Sequence, residues 1–167
     1  TRLLEMIVYF TIIAAFALFF AHYCAWDDFT QIGKDEPVHH VKQWLIRAGI
    51  SVAAIIIISG VGEVLTLRMF GLMSVAVAFL FSAWFRYRLN KLRGLEWYYM
   101  GPVLSDRTKK DSWYDGLYHW LAYAISGFNA VYYDGYHTTY SLNTPGKIAY
   151  ATEITLTIAA FAVAAIL

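Results

Sequence analysis

The sequence predicts an all-α integral membrane bundle, with about four helices crossing the bilayer and a further aromatic helix lying in its interface. Three observations predict it. First, Met6–Trp26 runs 21 residues without a formal charge, Met69–Phe85 another 17, Ala48–Gly62 a further 15 and Ile154–Leu167 a last 14. A hydrocarbon core of roughly 30 Å takes about 20 mostly apolar helical residues, with tolerance for long side chains that reach out at the ends. Second, 59% of the 167 residues are hydrophobic and only 15% are charged, too few to clothe a water-soluble domain of this size. Third, aromatics reach 18%, and all six tryptophans fall near expected helix ends or in the connections, at the depth where indole rings prefer to sit. Only helices and closed barrels satisfy their own backbone groups in lipid, and the uncharged runs have helical, not strand, lengths. The chain is therefore expected to form a single transmembrane domain over 1–167.

Taken in order, the first helix is expected over about 3–26. It is too long for the core of a cleavable signal and lacks a small-x-small site after it. A polar stretch, 27–36, follows. Pro37 then suits the first turn of a second helix over about 37–62, because its missing N–H costs nothing there. The short link beyond Gly60 and Gly62 leaves room only for an antiparallel hairpin into a third helix over 67–92. Lys91 and Arg93 in its last turn, with Gly94 just after, form a C-terminal stop through the helix dipole and a left-handed cap. The aromatic segment 113–133 contains His119, Ser126, Gly127 and Asn129, and its composition suits a helix lying in the interface better than one that spans. A loop over 134–144, a break at Pro145-Gly146 and a last helix over 147–167 complete the chain.

Positive charge gives an orientation. The segments 27–47 and 86–112 carry 10 of the 13 Lys and Arg, and Arg2, Arg68 and Lys147 are assigned to the other side. Lys and Arg collect on the cytoplasmic side, so both segments are expected to be cytoplasmic.

Those two segments also hold the most distinctive residues. His40, Trp44 and Arg47 recur at helical spacing, and so do Arg86, Asn90 and Arg93. The hairpin brings both sets to one membrane surface, where arginines need partners; acids of the connection, Asp106 among them, are candidates. One reading is a polar network that pins two helix ends and a loop together. The other is a site for an anion or lipid headgroup built from His40, Arg47, Arg86, Asn90, Arg93 and Asp106. The pattern of His40, Trp44 and Arg47 followed by Asn90, Arg93, Gly94, Trp97, Tyr99 and Gly101 resembles small polytopic membrane proteins of unknown function from Bacteroidota bacteria and their tailed phages. The resemblance implies a fold and an origin but no activity.

Catalytic chemistry finds no support: there is no nucleophile–base set, phosphate-binding glycine loop or pair of catalytic acids. No cofactor is expected. His22 and His119 are conceivable haem or quinone ligands, but a histidine at a helix end is more often an interfacial hydrogen bonder. No metal site is expected either, since His39-His40 point about 100° apart on a helix and His137 beside Asp134 lacks a third ligand. The net charge of +1 and the lack of a basic arm argue against nucleic acid. Glu63 has Arg68 nearby, whereas Glu153 stands about two turns into the last helix. A carboxylate there suggests either ion passage or a partner on another helix. The expected function is a non-catalytic structural or assembly subunit, its partners the bilayer and other membrane proteins or further copies of itself. A small transporter or channel component using Glu153 is the alternative.

Overall fold

The computed structural model describes residues 2–34, 40–61, 66–99, 117–118, 121, 131–133, 136–138 and 144–166. Four long helices dominate: α1 (Arg2–Gly33), α2 (His40–Val61), α3 (Leu67–Leu92) and α4 (Thr144–Ile166). All four are long and apolar enough to cross a membrane. The fold is an all-α bundle. Its exterior carries large apolar side chains such as Ile7, Phe19, Ile57, Val75 and Ile158, all exposed. The buried polar residues among those described are Asp28, Ser59, Asn90, Glu153 and Thr157. Apolar groups outside and paired polar groups within are what a lipid solvent requires.

Helix α3 lies at the centre and packs along most of its length against α1 and α4, while α2 rests more lightly on α1 and α3. Burial follows a spacing of three and four. On α1 the buried set includes Met6, Phe10, Ile13, Ala17, Ala21, Cys24 and Asp28; on α3 Met69, Met73, Ala76, Ala83 and Asn90; on α4 Ala149, Glu153, Thr157, Ala160 and Ala164. This alternation keeps one seam facing the neighbouring helix, as in left-handed helix packing. Alanines at 17, 21 and 25 are fully buried and permit close backbone approach on α1. Phe10 meets Phe161 at 5.3 Å between α1 and α4, and Phe20 meets Phe81 at 5.6 Å between α1 and α3.

Several boundaries differ from the sequence reading. Helix α1 continues past Trp26 to Gly33. Its polar residues support the extra turns: the Thr30 hydroxyl donates to the Trp26 carbonyl at 2.9 Å, and Gln31 Nε2 donates to Asp27 Oδ2 at 3.0 Å. The expected start of α2 at Pro37 lies outside the described residues. Helix α4 begins at Thr144, so Pro145-Gly146 is its first turn and not a break before it. Proline is well suited there because the first N–H groups of a helix have no intrahelical acceptor. Most of the expected interfacial helix over 113–133 lies outside the described residues, with Leu117, Tyr118 and Leu121 helical. Its end is not helical. Val131–Tyr133 forms strand β1, paired antiparallel with β2 (Tyr136–Thr138) in the register Tyr133 to Tyr136. Aromatic and β-branched residues favour such pairing, and Asp134-Gly135 between them is a favoured hairpin dipeptide.

Candidate functional site

The polar residues gather towards the end of the bundle where α1 and α3 finish and α4 begins. Local sequence sets the frame. At the other end of α3, the Thr66 hydroxyl caps the helix by accepting from the Met69 N–H at 3.2 Å. At the site end Gly94, with φ of 70°, takes the left-handed conformation that glycine adopts without steric cost. The Leu95 N–H then reaches the Asn90 carbonyl at 2.9 Å and the Gly94 N–H the Lys91 carbonyl at 3.2 Å, a Schellman closure. The chain is thereby turned back over α3. The Asn90 side chain, 3% exposed, donates through Nδ2 to the carbonyls of Trp97 at 3.1 Å and Tyr99 at 2.8 Å. One amide thus pins the returning segment.

Among the described residues, two ion pairs join the helices at this end. In the first, Asp28 of α1 accepts from both terminal nitrogens of Arg47 on α2, with Arg47 Nη1 at 3.2 Å from Oδ2. The Arg47 guanidinium also lies 5.1 Å from the centre of the Phe85 ring, tying α3 to the pair. Beside it, Gln43 Nε2 donates to Gln31 Oε1 at 2.9 Å, which adds a second α1–α2 link. In the second pair, Arg86 of α3 grips Glu153 of α4 in a fork: Nη1 to Oε2 at 3.1 Å and Nη2 to Oε1 at 3.2 Å. The Ser82 hydroxyl donates to Oε1 at 2.9 Å. Glu153 is 0% exposed, and the Arg86 side chain only 13%. The guanidinium sits 5.6 Å from the Tyr150 ring centre as well. Both carboxylate oxygens are therefore engaged by donors, and the charge is neutralised where it is buried.

The site residues expected from sequence are distributed as follows. Arg47 pairs with Asp28 of α1 and Arg86 with Glu153 of α4; residues 100–115 of the connection, expected to supply an acid partner, lie outside the described residues. Asn90 donates its side-chain amide to backbone carbonyls. Arg93 is the exposed C-cap of α3. His40 begins α2, and its side chain, like all of Asp106, lies outside the described residues. Trp44 is 68% exposed, so it does not share the inward position of Arg47. His22 is exposed on α1. Lys147, placed on the opposite side by the sequence reading, instead stands 5.0 Å over the Tyr98 ring and belongs to the basic end. Sequence reasoning missed Asp28, whose signal was its position one turn from Gln31 in a helix that continues beyond the apolar run.

The pairing around Asp28 predicts a specific loss. Asp28→Ala strands Arg47 at a 16%-exposed position, with its stem free to carry the charge towards the headgroups. We expect a fall of about 1.5–3 kcal/mol in stability, the range for a hydrogen bond to a charged group, measured by thermal unfolding in detergent.

Compared with protein-family models, curated proteins and solved structures, the chain matches none of them.

Proposed function

We propose that this chain is a non-catalytic, multi-pass membrane subunit that acts by packing against other membrane proteins, with the 27–47 and 86–112 segments facing the cytoplasm. The observation that carries this reading is Glu153. A carboxylate that moves ions or protons must exchange them with a water-accessible route. Here it is fully buried, and a two-pronged arginine and a serine hydroxyl engage both of its oxygens. Such a pair works as a clamp between α3 and α4.

The exterior of α2 supports the same reading. Only 11% of its span is buried within the bundle, against 28% for each of the other three. Gly49 and Ala53, four residues apart, are both exposed, and nothing approaches the Gly49 Cβ position within 4 Å. Small residues at this spacing let a second helix approach closely. On α4, by contrast, Ala160 and Ala164 are buried and already serve contacts inside the bundle.

A photo-crosslinking residue at Ala53, compared with one at the lipid-facing Val163 of α4, tests the proposal in native membranes. A discrete adduct with one membrane protein, or with a second copy, is expected at 53 and not at 163. The transporter reading is tested in parallel by proton flux into liposomes under an imposed potential. Flux above that of empty liposomes, abolished by Glu153→Gln, would replace the structural reading.

A further inference from the structure

Between α3 and α4, beside the Arg86–Glu153 clamp, lies a cleft of about 220 Å³. Leu80, Ala83, Trp84 and Tyr87 line it from α3, Tyr150 and Ile154 from α4, and Trp97 of the returning segment completes it. The aromatic rings support one another: Trp84 stacks on Tyr87 at 5.2 Å, and Trp97 meets Tyr150 edge-on at 4.9 Å. The volume is below the roughly 300–1,000 Å³ of pockets for drug-sized ligands. It suits a length of acyl chain entering from the bilayer.

What surrounds the cleft distinguishes it from ordinary lipid-facing surface. Along α3, the face that carries Leu80, Trp84 and Tyr87 continues to Lys91, each three or four residues further on. Along α4, Ile154 and Tyr150 lead to Lys147 at the same spacing in reverse. Both lysines are exposed. Each helix thus grades from aliphatic, through aromatic, to cationic, over about 16 Å of rise on α3 and about 10 Å on α4. The grading runs in the same direction on both, because Tyr98 contacts Lys147 and Trp97 contacts Tyr150 at the end where α3 finishes. One polar atom of the cleft lining, the Tyr150 hydroxyl, is buried and has no hydrogen-bond partner among the described residues. Buried donors without acceptors are uncommon and call for one.

We propose that the α3–α4 cleft binds one anionic phospholipid. An acyl chain occupies the aromatic cleft, and the phosphate headgroup lies between Lys91 and Lys147. The ester oxygens are the kind of acceptor that the Tyr150 hydroxyl lacks. Zwitterionic lipid offers the same chain but no net charge, so the two lysines set the preference. The Arg86–Glu153 pair takes no part, since its charges are already matched.

Native mass spectrometry of the detergent-purified protein, titrated with phosphatidylglycerol or phosphatidylcholine of identical chains, tests this. One tightly retained phosphatidylglycerol per chain is expected, with phosphatidylcholine retained much less. Lys91→Gln and Lys147→Gln should each reduce the preference by on the order of fivefold, the effect of one basic residue at an anionic surface. Ala83→Leu, which fills the cleft and leaves both lysines in place, should weaken both lipids together. Lys91 and Lys147 are exposed, so their variants keep the fold and leave the assay informative should Ala83→Leu destabilise it. Equal retention of the two lipids by the unmodified protein, or a preference unchanged in the double lysine variant, would overturn the proposal.

Discussion

Arg86→Leu is expected to destabilise the bundle by about 3–5 kcal/mol, the cost of leaving a buried charge without its partner. Glu153 is 0% exposed and cannot turn to water without separating α3 from α4. Ser82 would still donate one hydrogen bond, which does not neutralise a carboxylate. Glu153→Leu alone should cost less, because the Arg86 stem is long enough to carry its head towards the surface where Lys91 and Lys147 stand. The double variant, Arg86→Leu with Glu153→Leu, should recover most of the loss, since matched apolar residues replace a buried ion pair at little cost or with a gain. Denaturant titration of the four proteins in one detergent gives the coupling directly. Additive single effects would show that the pair does not act as a unit and would remove the main support for a clamp between α3 and α4.

Gly146→Ala is the second large effect. A methyl group built at Gly146 would stand 1.5 Å from the Tyr98 carbonyl oxygen and 2.6 Å from its carbon. These are backbone atoms, so no side-chain rotation relieves the overlap. The Tyr98 segment is also held on both sides, by Asn90 at the Trp97 and Tyr99 carbonyls and by the Trp97–Tyr150 contact. Either α4 retreats from α3 or these contacts break. A loss of about 3 kcal/mol, at the upper end of overpacking effects, is expected, with a change in tryptophan fluorescence as Trp97 leaves Tyr150. Gly71→Ala is the control. It lies exposed within α3 with nothing within 4 Å of its Cβ position, so it should be neutral or stabilise by about 0.5–1 kcal/mol through helix propensity.

What was legible in the sequence was governed by local physics. The four apolar segments follow from the length a bilayer demands. The end of α3 follows from Lys91, Arg93 and Gly94, whose roles are completed within a few residues. The tertiary partners were not legible. Asp28 and Arg47 are 19 positions apart, and Arg86 and Glu153 are 67 apart; no local pattern links them. The interior seams were hidden for a different reason. In water, exposed positions of a helix turn polar and reveal its period, but here Ile7, Phe19 and Ile158 face outward and are as apolar as Ile13 or Val77 within. The β-hairpin did leave a local mark in Asp134-Gly135 between two aromatic runs. Reading 113–133 as one helix overlooked that strand-like text.

The 67 positions between Arg86 and Glu153 also order events during synthesis. At about 5–20 residues per second, the glutamate is made roughly 3–13 s after the arginine. Throughout that interval Arg86 lacks its carboxylate partner on α4, and an arginine at mid-bilayer costs up to about 3 kcal/mol. Its position six residues before the end of α3 allows the guanidinium to reach the headgroups while it waits. The α3–α4 seam of the finished bundle is therefore closed only when α4 arrives with its counter-charge.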